Sequence, residues 1–308
     1  MPKKFDQDSK DRVVRLGVGC LSCLLFKCGI VFPVTSAIYG ALVSILHAVL
    51  DNKSAKYPRA GKHARVGRVQ KGTMLRLVLI RHGQTDSNLS GALDTAWPGR
   101  PLNATGREQS AALVDKYHQL VGAAPQRLAC SFILRARQTA EPLAQAFGIP
   151  VQVDADFREV RAGMLEMSTT LQDTRAYLNT AVDWATGDLN RRMPGAETGA
   201  QTLVRFDRAI ARLCAGLEDD PQATVAVITH GAIMRVWSAN RIEGLTLDLL
   251  AQFPCQNCSL TVATGSPTHG WKAELWSDRE LEDWPVVPGA QPRTSKEARE
   301  QLESMLLN

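Results

Sequence analysis

This sequence predicts a three-layer α/β/α sandwich around a mostly parallel central sheet, and three observations carry that prediction. Short apolar runs recur at 75–80, 128–130, around 151 and 153, and at 224–229, with helically spaced segments between them. Two of these runs end alike, in Arg81-His82-Gly83 and in Thr229-His230-Gly231. Finally, 308 residues with 44% hydrophobic content can build one sizeable core with something to spare. Strands that alternate with helices pair in parallel through crossover connections, which gives the layered class.

The elements follow in order. Leu75-Arg76-Leu77-Val78-Leu79-Ile80 reads as a buried strand, stopped at Gly83 before the polar stretch Gln84-Thr85-Asp86-Ser87-Asn88. The carboxyl end of such a strand is where open α/β sheets place ligands. Leu102 to Gln109 introduces a helix, with Thr105 as its cap and Glu108 completing a capping box. Leu128-Ala129-Cys130 is a short strand, and a helix over about 135–147 stops at Gly148. Two helices are predicted over 169–184 and 198–217, the second ended by Asp219-Asp220-Pro221. Strand 224–229 and helix 232–242 come next, then a strand pair at 260–263 and 271–276 joined through Gly265-Ser266-Pro267. No internal repeat is visible.

Charge divides the chain. Residues 1–73 hold 13 Lys/Arg against 4 Asp/Glu, a net of +9, so the rest holds 23 against 27, a net of −4. The overall +5 is therefore no sign of a nucleic-acid partner for the acidic remainder. Residues 28–50 contain no Asp, Glu, Lys or Arg, and 23 such residues suffice to span a bilayer. The basic run that follows would keep the rest of the chain in the cytoplasm, anchored to the inner face of the membrane. The rival reading makes 1–73 a spurious upstream extension, because Met74 stands directly before the first strand. The organisation expected is thus an extension over 1–73, a main domain over 74–283 and a loose tail over 284–308. Seven cysteines, an odd number, suit a reducing compartment better than a disulfide framework. Cys20-x-x-Cys23 and Cys255-x-x-Cys258 could supply a four-thiolate zinc site, but both pairs lie in or beside apolar sequence, and no metal is expected.

A guanidinium and an imidazole delivered together at a sheet edge suit a phosphate. Four ordered segments give that pair its context: Arg81-His82-Gly83, Ser131-Phe132-Ile133-Leu134-Arg135-Ala136-Arg137, Phe157-Arg158-Glu159…Gly163, and Val225…His230-Gly231. With these, the chain resembles the histidine phosphatase superfamily, the phosphoglycerate mutase-like proteins, from about Leu75 to Trp276. The resemblance implies a phosphomonoesterase acting through a phosphohistidine on a small phosphorylated metabolite, without a cofactor. It casts His82 as nucleophile, and Arg81, Arg135 and His230 as the clamp on the phosphoryl oxygens. Arg137 competes with Arg135 and is expected to face solvent. Glu159 is the expected general acid and then base, a proton beside a phosphate dianion being held more tightly; Glu166 is the alternative. Asn88 and, more weakly, Thr85 are substrate contacts, with a helix cap as the competing reading of Asn88. Backbone N–H groups near Gly83 and Gly231 are candidate phosphate donors.

Met167 departs from the family pattern, which commonly has glycine there. Pro194-Gly195-Ala196-Glu197-Thr198 resembles the family's turn before a helix, orienting Glu197 toward the site, and Cys255-Gln256-Asn257-Cys258-Ser259 a late turn at the pocket rim. Segment 169–192 is expected to line the entrance, with Arg175, Tyr177, Trp184, Arg191 and Arg192 able to touch a leaving group. Only 70 residues separate Glu159 from His230, too few for the long basic cap of the glycolytic mutases. Hydrolysis is thus favoured over a primer-dependent phosphoglycerate mutase, with a non-catalytic phospholigand-binding module as the remaining alternative. Oligomeric state stays open.

Overall fold

The computed structural model describes residues 74–280 apart from 218–219, 246–249 and 251–253. The candidate transmembrane segment 28–50, the extension 1–73, Cys20 and Cys23, and the tail 284–308 lie outside the described residues. Among the described residues no helix is long and apolar enough to cross a membrane.

Strand β1 (Leu75–Arg81) leads to a short helix α1 (Asp86–Ser90) and a long one, α2 (Ala104–Leu120). Then come β2 (Arg127–Ser131), α3 (Leu134–Phe147) and β3 (Val151–Asp154). Helices α4 (Leu171–Ala185) and α5 (Gly199–Cys214) follow, and after them β4 (Thr224–Thr229) and α6 (Gly231–Arg241). The two-residue strand β5 (Ile242–Glu243), the hairpin of β6 (Leu260–Ser266) with β7 (Gly270–Trp276), and β8 (Arg279–Glu280) complete the order.

The sheet runs β3-β2-β4-β1-β6-β7-β5, with β8 beside β7. Its first four strands are parallel, and the hairpin is added antiparallel to β1. Period-2 alternation sends the strand side chains into two cores. Leu75, Leu77 and Leu79 join Tyr177, Trp184, Leu203, Phe206 and Trp237 under α4, α5 and α6. Val78 and Ile80 join Leu113, Tyr117, Ala136 and Leu143 under α2 and α3. The three layers are those predicted.

Several boundaries differ from the sequence prediction. The cap of α2 is Asn103, not Thr105: its Oδ1 accepts from Gly106 N–H at 2.9 Å. Leu102 is held by a bridge to Thr85, so the chain turns into the helix two residues earlier. That entry needs Gly106, where a Cβ would lie 2.1 Å from Gln84 O. Helix α5 stops at Cys214, before the Asp-Asp-Pro run, because Gly216 takes a left-handed φ of 77°. The two-residue strands β5 and β8 were not predicted, being too short for any periodicity.

Candidate active site

The site forms where β1 and β4, neighbours in the sheet, release their chains side by side. His82 and His230 follow the last residues of the two strands, and their rings stand 5.2 Å apart in an edge-on arrangement. Both are buried. His82 Nδ1 lies 2.7 Å from Gly83 O, and a carbonyl can only accept, so Nδ1 carries the proton. That leaves a lone pair on Nε2, which accepts from Arg135 Nε at 3.0 Å. Burial pushes the His82 imidazole well below its ordinary pKa, and the Arg135 and Arg81 charges push the same way. Burial also dominates at His230, helped by Arg135, His82, Arg205 and Arg81. Both rings are accordingly neutral at pH 7, and neither nitrogen of His230 has a hydrogen-bond partner.

Arg135 is delivered by the first turn of α3 and is buried, whereas Arg137 is exposed, as expected from the sequence. Asp94 fixes its other end: the Asp94 carbonyl accepts from Nη2 at 2.8 Å, and the carboxylate lies 3.5 Å from Nη1. Nothing in the sequence singled out Asp94, which sits in a loop without periodicity. Arg81 donates from Nη1 to Cys255 O at 2.6 Å, while its Nε is buried without an acceptor. The guanidinium lies over the start of α6, where a Cβ on Gly231 would be 3.1 Å from Nε. Arg81 Nε, Arg135 Nη1 and both His230 nitrogens are thus buried groups lacking hydrogen bonds, and Arg135 and His230 each lie against the His82 ring. A tetrahedral oxyanion can accept from the two guanidinium groups and from the His230 nitrogen that carries the proton.

Glu159 reaches the same centre with its carboxylate on the N-terminus of α6. Oε1 accepts from Val160 and Ile233 N–H, each at 2.8 Å, and Oε2 accepts from Ala232 N–H at 3.1 Å. Glu166, the alternative acid, is spent elsewhere: it accepts from Thr95 and Ala96 N–H at 2.7 and 2.9 Å and ties two loops together.

Behind Glu159 stands Arg205, which the sequence reading passed over. It is buried, pairs with Glu197 at 2.7 Å, and donates to the carbonyls of Asp156, Arg158 and Glu159 at 2.7, 2.9 and 3.0 Å. Its signal was legible in principle, since 202, 206, 209 and 213 form a buried stripe into which a lone arginine falls. Glu197 points to Arg158 and Arg205, not into the site.

The remaining expected residues have the following partners. The Gly83 N–H donates to Thr139 Oγ1 at 3.0 Å, and those of Ala232 and Ile233 go to Glu159, so these donors already serve protein acceptors. Asn88 and Thr85 form the capping box of α1, with Asn88 Oδ1 accepting from Thr85 N–H at 3.1 Å. Asn257, in the late turn, donates to His82 O at 2.9 Å and to Asn88 Oδ1 at 3.2 Å, which puts that turn against the site. Cys255 and Cys258 fall in the two different cores, on opposite faces of the sheet. At the expected entrance, Tyr177 is buried with its hydroxyl on Val160 O, Trp184 is buried with Nε1 on Arg191 O, and Arg191 pairs with Asp183. Arg192 is exposed, and Arg175 keeps Nε and Nη2 buried without an acceptor. Met167 adopts a φ of 61°, the left-handed conformation for which glycine is suited.

Residues 77–279 match the family described as histidine phosphatase superfamily (branch 1). Glucosyl-3-phosphoglycerate phosphatase of Mycobacterium tuberculosis is 28% identical over 218 residues, 66% of this chain and 94% of that protein. PE-PGRS family protein PE_PGRS11 of the same organism is 28% identical over 234 residues, 72% of this chain but only 38% of that longer protein. A solved structure of the mycobacterial glucosyl-3-phosphoglycerate phosphatase with VO3 is 26% identical, covers 66% of this chain and 98% of its own, and superposes with a TM-score of 0.55.

Proposed function

We propose, for a chain that belongs to the histidine phosphatase superfamily, the hydrolysis of phosphomonoesters of small metabolites through a phosphohistidine on His82. The supporting observation is the pair of hydrogen bonds on the His82 ring, which holds the proton on Nδ1 and leaves Nε2 as the nucleophile. Incoming phosphate oxygens draw Arg135 off Nε2 and take the unpaired donors of Arg81 and Arg135. The Nε2 lone pair forms the N–P bond as the ester P–O bond breaks, and the leaving oxygen takes a proton from Glu159. Water then attacks phosphorus, the N–P bond breaks, and the water proton returns to Glu159. The products are an alcohol and inorganic phosphate.

Glu159 Oε2 accepts a single N–H bond, at 3.1 Å, and so keeps room for the proton that it donates and takes back. The proposal includes a catalytic domain over 74–283 working on the cytoplasmic side, with residues 28–50 as the segment that would associate with a membrane. Hydrolysis of p-nitrophenyl phosphate by the full chain tests the reaction. His82→Ala is expected to lower kcat by at least about 1,000-fold, as losing a covalent nucleophile does. Equal rates would remove His82 from the mechanism.

A further inference from the structure

We infer that the group esterified to the phosphate is apolar, an alkyl or aryl group seated on a hydrophobic rim beside Arg135. This inference rests on the phosphomonoesterase reading and narrows its substrate class. Among the described residues seven large hydrophobic side chains are exposed, and five of them, Leu89, Trp97, Met164, Met167 and Leu171, come from two short segments. Single exposed apolar residues are ordinary on a protein surface, but this concentration is not.

Hydrogen bonds join the two segments. Leu93 N–H donates to Ser168 O at 3.0 Å and Met167 N–H to Leu93 O at 3.1 Å, and Glu166 accepts from Thr95 and Ala96 N–H. The first segment also touches the phosphate clamp. Asp94 O accepts from Arg135 Nη2 at 2.8 Å, a Cβ on Gly99 would lie 2.7 Å from Arg135 Nη1, and Pro98 O accepts from Leu134 N–H at 3.0 Å. Trp97 is therefore pinned on either side, at Ala96 and at Pro98, in a loop that runs along the buried guanidinium. Its side chain is nevertheless 66% exposed, and that of Met164 is 80% exposed.

Packing does not explain side chains that face water. Met167 sharpens the point, since it keeps a thioether at a left-handed φ of 61° that glycine would adopt without steric cost. An indole and two thioethers offer polarizable apolar surface. An alkyl chain or an aromatic ring complements that surface, and a sugar acid rich in hydroxyls does not. The loop that carries Trp97 meets Arg135 at Asp94 O and Gly99, so an ester bound by its phosphate lays its carbon skeleton along that loop.

Straight-chain alkyl phosphates from methyl to octyl provide the test, because leaving-oxygen basicity barely changes along the series while apolar length does. For the full chain, kcat/KM is expected to rise about two- to fourfold per added methylene over the first several carbons, the range between half and full burial of a CH₂. Trp97→Ala and Met164→Ala, both at solvent-facing positions where substitution rarely disturbs folding, are expected to flatten that slope; flattening in either supports the inference. A flat series in the unmodified chain, or slopes unchanged in both variants, overturns the apolar leaving group and leaves the phosphatase reading standing. No hydrolysis anywhere in the series, with p-nitrophenyl phosphate still hydrolysed, likewise overturns the apolar leaving group alone; no hydrolysis of either, or hydrolysis that survives His82→Ala at full rate, overturns the phosphatase reading itself.

Discussion

At His82 the two ring nitrogens have been given different work by their neighbours: one holds a proton for Gly83 O, the other offers a lone pair. No such division exists at His230, whose nitrogens both lack a hydrogen-bond partner, so that the one carrying the proton is a free donor. The residue that makes room for the clamp is Gly231, because any side chain there would press on Arg81 Nε. Gly231→Ala therefore separates two effects. Alanine in the first turn of α6 favours the helix by up to about 1 kcal/mol, so the thermal midpoint should stay level or rise. The displaced guanidinium should lower kcat/KM about tenfold, the cost of a misplaced donor. An unchanged kcat/KM would show that Arg81 does not work from this position.

Helices α5 and α6 build the site from behind. The N-terminus of α6 receives Glu159, with two of its backbone N–H groups on the carboxylate. From α5, Arg205 clasps the chain that leads into Glu159 by three carbonyls and is itself held by Glu197. Arg205→Ala would leave the Glu197 carboxylate with Arg158 alone and those carbonyls without donors. A loss of about 3 kcal/mol in urea unfolding is expected, since buried acceptors lose their donor at once. Arg205→Lys keeps the charge but lacks the fork, so stability should be partly recovered while kcat remains low. Recovery of both would mean that Arg205 supplies charge alone. The sequence predicts α5 as a helix over 198–217, but not that the arginine inside its buried stripe serves another segment, because the partners are carbonyls 46 to 49 residues away.

At the scale of the whole molecule, burial of two neutral imidazoles makes stability depend on pH. His82 and His230 both have folded-state pKa values depressed well below the ordinary one. Below about pH 6.5 the unfolded chain takes up protons on these side chains and the folded protein does not. Their contribution is therefore complete above that pH and declines as pH falls beneath it, by up to about 1.4 kcal/mol per pH unit for each ring. Chemical denaturation between pH 7.5 and 5.5 should show this decline, and His82→Gln should reduce its slope. A slope that does not change in the variant would mean that His82 accepts a proton while folded.

The sequence by itself determined the alternation of strands and helices, the mostly parallel sheet they imply, and the choice of Arg81, His82, Arg135, Glu159 and His230 as the candidate site residues. Those features are local: a buried strand announces itself by its apolar run, and the polar residues at its end follow directly in the chain. Only the tertiary structure decided what each of them touches. Thr85 and Asn88 turned out to cap a helix, Glu166 to join two loops, and Asp94 and Arg205 to support the clamp and the acid. Hydrogen bonds and orphaned donors arise between residues distant in sequence. Periodicity carries no information about them, because it registers which face of an element is buried and not which group waits there.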